Sequence, residues 1–437
     1  MKFARNPWAV WGGWVVSRVV TILIWLQFEA NIEGDVTYYW TRTSDMIAGN
    51  LAVGQTMIEY PTPVLWLLQL PWLLSGQTQA GFLTAFMAML LLADLAYSVV
   101  VWARGRGVHA LWFWIAFMPL MGPITLLRLD LVPALLCAGA LLTLRKQRSV
   151  AAGLFLAAGA GLKLWPALLW PTSLRGNGRQ DRRLTLAFFG GGLALIAFAV
   201  GYGGIARLLS PLTWQSARGL QIESVWATPL MVARLFDPGL YEVAYSPWQA
   251  FEIFGPGRDA WLNAASLATL LSYVLIVVAY VVWLSRCYPD LFTRRPRFSG
   301  AETPASITSV GMFMATVITI TLIANKTFSP QYLIWLGGPL AVLVLTRTGR
   351  AGATDRGLLV LPLVLAVLTQ LIFPLFYSWL TDAGPGTGRT LMTLVLALRN
   401  IGMLAFTVMA FGRAWSLLGG AGRREAVVED TAAGPAS

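Results

Sequence analysis

The chain has very little of what most soluble enzymes build their chemistry from. Its 437 residues include two cysteines, Cys137 and Cys287, and one histidine, His109. Cys137 falls inside an apolar run and Cys287 just past another, so no disulfide is expected. A single histidine, at the start of an apolar run, argues against His-based catalysis or a His-built metal site. No Walker loop, dinucleotide fingerprint or metal-ligand spacing occurs. That counts against ATP-driven transport and against chemistry on a soluble nucleotide-sugar domain. Charge is scarce too, at 12% of residues against 57% hydrophobic, the composition of a membrane protein.

Apolar runs recur at near-regular spacing. A spanning helix needs about 20 mostly apolar residues, and 8–27, 80–103, 184–204, 263–285, 307–325, 357–377 and 391–411 meet that length. Shorter candidates are 108–125, 131–144, 149–162, 164–174 and 331–346. The expectation is an all-α polytopic bundle of about twelve crossings, with 164–174 the least regular. It forms one domain over 1–411, followed by a disordered polar tail over 412–437. The first run has no small-residue cleavage site and reads as a retained helix. The pI of 10.1 is not a nucleic-acid footprint. Basic clusters lie at 104–106, 145–148, 175–183, 286–297, 347–356 and 413–424, between runs. This is the positive-inside pattern of a plasma-membrane protein with both termini cytoplasmic. Most of the acids fall in the opposite set of segments.

Two external segments stand out. The first, 28–79, ends in TPVLWLLQLPWLL, an apolar stretch too short to cross and holding Pro63 and Pro71; a re-entrant or interfacial helix is expected. The second, 205–262, is rich in Trp and Phe, as amphipathic segments on a membrane surface are. Aromatics there also serve as interfacial anchors. The close spacing of Gln215, Arg218, Gln221 and Glu223 suits hydrogen bonding to a ligand better than anchoring.

Ionisable residues beside apolar runs are costly to desolvate and mark candidate sites. Asp35 in EGDVTYYW is an external carboxylate placed to act as a general base; a capping or solvated acid is the plainer reading, and Glu29, Glu33, Asp45 and Glu59 are nearby alternatives. In RLDLVP, Arg128 is suited to clamping a phosphate, and Asp130 to orienting Arg128 or binding sugar hydroxyls. A buried ion pair between helix ends is the structural alternative. Only four lysines occur, Lys2, Lys146, Lys163 and Lys326. Lys163 in GLKLWP and Lys326 in NKTFSPQY are retained where the rest of the chain uses Arg, which points to a compact ammonium facing a phosphate, or to snorkelling. Pro330 breaks a helix beside Ser329, Gln331 and Tyr332, giving a polar cradle. Arg18, Asp94 and Arg399 lie within spans and are expected to pair with one another.

These segments together resemble the GT-C superfamily of integral membrane glycosyltransferases, and more narrowly glycosyltransferase family 87. The carriers are GDVTYYW, EYPTPVLW, RLDLVPALL, GLKLWPALL and KTFSPQYLIWLGGPL, in that order along the chain. The turn usual in the family reads Tyr-Pro-Pro, whereas this chain has Tyr60-Pro61-Thr62-Pro63. The resemblance implies an inverting transfer of a sugar, mannose first, from a polyprenyl-phosphate donor to a lipid-linked glycan on the outer membrane face. It maps the catalytic base onto Asp35. The donor phosphate and sugar fall to Arg128, Asp130, Lys163, Lys326, Ser329, Gln331, Tyr332 and Tyr60. Acceptor contacts fall to Trp214, Gln215, Arg218, Gln221 and Glu223. No adjacent acidic pair stands out in the first loop, so a metal-independent enzyme without cofactor is expected. Its partners are the donor, the glycolipid acceptor and membrane lipids, with no nucleic acid. An arabinofuranosyltransferase is the alternative within the class. A lipid or polyprenol-phosphate transporter and a non-catalytic assembly partner are the alternatives outside it. A transporter would carry its ionisable residues near the midplane, with access from both faces.

Overall fold

The computed structural model describes residues 6–28, 32–104, 107–289, 305–346, 353–382 and 386–418. The chain is an all-α polytopic membrane protein. Among the described residues, seven helices are long and apolar enough to cross a membrane, at Pro7–Gln27 (α1), Gln79–Trp102 (α4), Gly178–Ala217 (α8), Arg258–Cys287 (α10), Ile307–Ala324 (α11), Thr354–Leu375 and Thr387–Leu417 (α15). They coincide with the seven long apolar runs. The sixth comprises Ala353–Gln370 (α13) and an irregular turn, Leu371–Leu375, before the short helix Tyr377–Thr381 (α14). Shorter helices fill the places between: Gly34–Ile47 (α2), Pro63–Leu74 (α3), Gly107–Met121 (α5), Leu131–Arg145 (α6), Ser149–Leu162 (α7), Thr228–Phe236 (α9) and Ile334–Thr346 (α12). α15 runs on to Leu417, so it takes in the first residues of the segment expected as tail; 419–437 lie outside the described residues.

Local sequence sets the helix starts. Asn6 accepts from the Trp8 amide at 3.0 Å ahead of Pro7. Thr78 caps α4 through the Gly81 amide, and Ser306 caps α11 through the Ser309 amide. Each satisfies a backbone donor that the helix cannot. Within the bundle, lipid gives little hydrophobic drive for helices to associate, and close packing of small residues takes its place. A Cβ added at Gly337 of α12 would sit 2.3 Å from the Phe117 ring of α5. One at Gly153 of α7 would sit 2.3 Å from the Leu184 carbonyl of α8. α11 and α12 occupy the centre, where almost every side chain is buried.

Helix directions define two ends. α6 and α7 form a hairpin, so Asp130 before α6 and Lys163 after α7 share one end, where they pair. From Lys163 the chain returns to the other end within a dozen residues. There Arg175 Nε donates to the Ala305 carbonyl at 2.5 Å, just ahead of α11, whose far end leads back to Lys163 through Tyr332. Segment 164–174 therefore traverses the bundle, but not as the helix expected: it forms two 3-10 turns, Trp165–Leu169 and Pro171–Ser173. Pro166 and Pro171 remove amide donors there. Side chains meet the freed carbonyls instead: Tyr280 Oη donates to Leu168, and Trp283 Nε1 donates to Leu174 at 2.7 Å.

The long external segment also differs from expectation. α8 continues past a non-helical Gly204 (φ 80°) to Ala217, so much of 205–217 is helix rather than loop. Arg207 staples it to the carbonyls of Tyr60 (2.8 Å) and Met57 (3.1 Å). Beyond α9, Glu242–Ser246 (β1) and Ala250–Phe254 (β2) form an antiparallel hairpin with Tyr245 opposite Phe251, where only amphipathic surface segments were expected. A second apolar cluster, including Leu220, Ile222, Ile253, Ile372 and Leu396, fixes this cap to α15.

Candidate functional site

α2 begins with Asp35 in its first turn, where the helix dipole favours a carboxylate. Its side chain is 41% exposed and lies 2.6 Å from Arg128 Nε, on a guanidinium only 6% exposed. Arg128 Nη1 also donates to the carbonyls of Ile32 (2.9 Å) and Leu127 (3.0 Å), and its guanidinium faces the Phe373 ring at 5.8 Å. The cation is thus fixed on its buried side, and its carboxylate partner opens to solvent.

Beside this pair sits a second. Lys163 Nζ donates to Asp130 Oδ1 at 2.7 Å, and Trp335 Nε1 donates to the same oxygen at 2.6 Å. Asp130 is fully buried, and its Oδ2 has no hydrogen-bond partner among the described residues. Its ion-pair partner is Lys163 rather than Arg128. The Lys163 ammonium lies among three rings, Tyr60 (5.6 Å), Tyr332 (5.0 Å) and Trp335 (5.6 Å). Trp335 stacks between Tyr332 (4.5 Å) and Trp165 (4.7 Å). Tyr60 and Tyr39 join through their hydroxyls at 2.9 Å, and burial raises both phenols well above the ordinary tyrosine range. They stay protonated as donors. Asp35, Arg128, Asp130, Lys163, Tyr60 and Tyr332 thus converge from five separate stretches of sequence.

The remaining expected residues lie in neighbouring groups. Lys326 Nζ donates to the Ser216 carbonyl at 2.8 Å, and its own carbonyl accepts from the Gln221 amide at 3.2 Å. Burial lowers its pKa, countered by Glu252. Arg218 is buried beside it, and Glu252 accepts from the Gly219 amide at 2.9 Å. Gln221 and Ser329 bond each other side chain to side chain (3.1 Å), so Ser329 serves the loop rather than capping the helix. Gln331 is half-buried in the 3-10 turn Pro330–Leu333. Trp214 packs edge-on against Trp248 at 4.9 Å, and Gln215 is exposed. Glu223 is buried and accepts from Tyr377 Oη at 2.7 Å; burial raises its carboxyl pKa, and Tyr377 and Arg399 oppose the rise.

Of the charged residues in spans, Arg18 and Asp94 pair as expected, with contacts of 2.6 and 2.7 Å. Arg399 does not join them. It lies under the cap with Phe328 at 4.2 Å and in the field of Glu223. Among the alternative acids, Glu33 accepts from Trp25 at 2.9 Å, and Glu29 lies outside the described residues. Glu59 is pushed upward by burial, which suits a structural acid. Sequence reasoning passed over Trp335, Trp165, Tyr39, Glu252 and Tyr377. Trp335 stood inside the quoted KTFSPQYLIWL, and its indole donor beside a cluster of charges was the available signal.

An exposed carboxylate, a buried guanidinium and an aromatic-lined ammonium thus lie together at one end of a helical membrane bundle. Residues 58–316, more than half of the chain, match the model of glycosyltransferase family 87, and the chain belongs to that family. It is accordingly a membrane glycosyltransferase. No curated protein and no solved structure matches it. The matched range takes in Arg128, Asp130, Lys163 and Glu223; Asp35 and Tyr332 lie outside it.

Proposed function

We propose that this glycosyltransferase moves a sugar, mannose first, from a polyprenyl-phosphate donor to a hydroxyl of a lipid-linked glycan, with inversion. The observation that carries the reading is the Asp35–Arg128 pair beside Lys163: an accessible carboxylate with two fixed cations at its side. Asp35 takes the proton of the acceptor hydroxyl as its oxygen attacks the anomeric carbon. The bond from that carbon to the donor phosphate breaks with its electron pair, and polyprenyl phosphate leaves. Arg128 and Lys163 stabilise the charge that gathers on the departing phosphate. Asp130 touches no reacting atom; it positions the Lys163 ammonium. Lys326, Ser329 and Gln331 border the donor side. Trp214, Gln215, Arg218, Gln221 and Glu223 belong to the cap on the acceptor side, where Glu223 acts through Tyr377.

The reaction end is the extracytoplasmic one. The basic segments Arg145–Arg148 and Arg175–Arg183 lie at the opposite end, where the positive-inside rule puts the cytoplasm of a plasma-membrane protein. Both termini are then cytoplasmic. No metal or cofactor enters the scheme, because the two cations supply the electrophilic assistance.

The test is sugar transfer by purified protein in liposomes, with radiolabelled polyprenyl-phosphate mannose and an extract of envelope lipids. Transfer by the wild type that collapses in Asp35→Asn supports the reading. Equal transfer by both moves the base to another acid. Transfer only from the arabinose donor replaces the sugar, and transfer from neither overturns the assignment.

A further inference from the structure

The hairpin β1–β2 has no role in the scheme above, and a run of aromatic rings leads from it to the Asp35–Arg128 pair. Tyr245 and Phe251 are directly opposed across the two strands, with ring centroids 5.2 Å apart. Phe251 meets Tyr377 at 5.6 Å, Tyr377 meets Phe373 at 5.2 Å, and Phe373 lies under the Arg128 guanidinium at 5.8 Å. An unbroken run of rings therefore joins the hairpin to the Asp35–Arg128 pair. Strand alternation puts Tyr245, Phe251 and Ile253 on one face. Ile253 is fully buried and Phe251 half-buried, whereas Tyr245 is 57% exposed. The anchored part of that face is covered and its last ring is left open.

Two further observations place the open ring at the site. The Tyr245 phenol is raised chiefly by partial burial, and next by the negative charge of Asp35, with Arg128 and Arg218 opposing. The ring thus lies in the field of Asp35 and of Arg128, with Arg218 on the cap acting alongside. Its conformation is also set: Tyr245 Oη donates to Gln249 Oε1 at 2.9 Å, across the turn. In the turn itself, Trp248 packs against Trp214 of α8. A fixed aromatic face with hydroxyl and amide groups at its edge matches the chemistry of a sugar ring, which offers an apolar C–H face and a rim of hydroxyls.

We propose that Tyr245 is the sugar platform on the acceptor side, stacking the glycan residue whose hydroxyl is presented to Asp35. The position in the reaction rests on the glycosyl-transfer reading; the contact with sugar does not. An interfacial anchor would be indifferent to glycan, and that difference is measurable.

The experiment uses full-length protein in liposomes, as wild type, Tyr245→Ala and Tyr245→Phe. Initial transfer rates are measured while donor and acceptor extract are varied separately. In parallel, saturation-transfer NMR reads binding of methyl α-mannoside and mannobiose. Tyr245→Ala is expected to raise the acceptor concentration for half-maximal rate by about tenfold, as loss of a central aromatic contact does, with the donor dependence unchanged. It should also lose the NMR signal from the probe sugars. Tyr245→Phe keeps the ring and should stay close to wild type in both. Unchanged acceptor dependence in Tyr245→Ala overturns the proposal. So does a parallel loss on donor and acceptor, which marks a structural role. If the wild type transfers no sugar but its probe signal depends on Tyr245, the platform stands and the transfer reading fails. If neither appears, both fail.

Discussion

The molecule holds two arginine–aspartate pairs whose comparison separates scaffold from site. In the bundle interior, Arg18 grips Asp94 with two parallel contacts of 2.6 and 2.7 Å. Ser17 and Trp114 complete the group at 2.7 and 2.6 Å, and both ions are sealed from solvent. At the site, Arg128 touches Asp35 through one nitrogen at 2.6 Å, and the carboxylate is 41% exposed. The first pair has satisfied its bonding capacity within the protein. The second keeps its spare capacity pointing outward. Residue type and charge are the same, so residual bonding capacity and access to solvent are what set the proposed site apart from the scaffold.

The contrast is broken most severely at Asp35. Asp35→Asn should cut transfer by ~10²–10⁴-fold, the range for a lost general base, while thermal unfolding in detergent stays near wild type. The mirror result is expected at Asp94. Asp94→Asn leaves a buried guanidinium without its counter-charge and should cost ~3–5 kcal/mol in denaturant unfolding. Replacing Arg18 and Asp94 together with Leu should recover most of that loss. Equal unfolding curves for single and double variants would refute the sealed-pair account.

Lys163→Met sits between these extremes. It removes a cation from the site and also strips buried Asp130 of its counter-ion. Stability should fall by ~2–3 kcal/mol, together with a transfer loss of at least tenfold. Adding Asp130→Asn to Lys163→Met should restore the unfolding midpoint but not the transfer rate. A joint recovery would make Lys163 structural.

The smallest effect concerns pH. The native Glu223 carboxyl is raised by burial from the ordinary 4.5. Between that value and its higher native one, the folded protein holds more protons than the unfolded chain. The contribution of Glu223 to stability is therefore full below about pH 4.5 and is lost as pH rises through the native value. Glu223→Gln should flatten that slope, read from unfolding midpoints across pH 4 to 8. A slope unchanged by the substitution would show that Glu223 does not titrate there.

Much of this architecture was legible in the sequence, because hydrophobic length alone specifies a lipid-crossing helix. All seven long runs became long helices, and TPVLWLLQLPWLL became the short helix α3. What escaped depends on partners distant along the chain. Asp130 is two residues from Arg128, yet it bonds Lys163 and Trp335, 33 and 205 positions away. The crossing at 164–174 lost its helix because two prolines withdraw donors, and carbonyl partners arrive from α10, which no local pattern announces. The hairpin was masked by its own aromatics: EVAYS and AFEIF alternate at period two around a turn, but their Tyr and Phe content reads equally as interfacial anchoring.

Helix length itself has a mechanical consequence. At 1.5 Å per residue, α6 and α7, with 15 and 14 residues, reach only about 22 and 21 Å. A bilayer core is about 30 Å thick. The turn between them is level with the start of the far longer α8, where Ser149 bonds Gln180. The shortfall therefore accumulates at the other end, beneath Asp130 and Lys163. In a bilayer core of that thickness, the end that carries Asp130 and Lys163 would fall short of the ends of the longer helices. For the polyprenyl-phosphate donor proposed above, the phosphate would meet these groups with its tail still in the bilayer, and the substrate would approach sideways rather than upward.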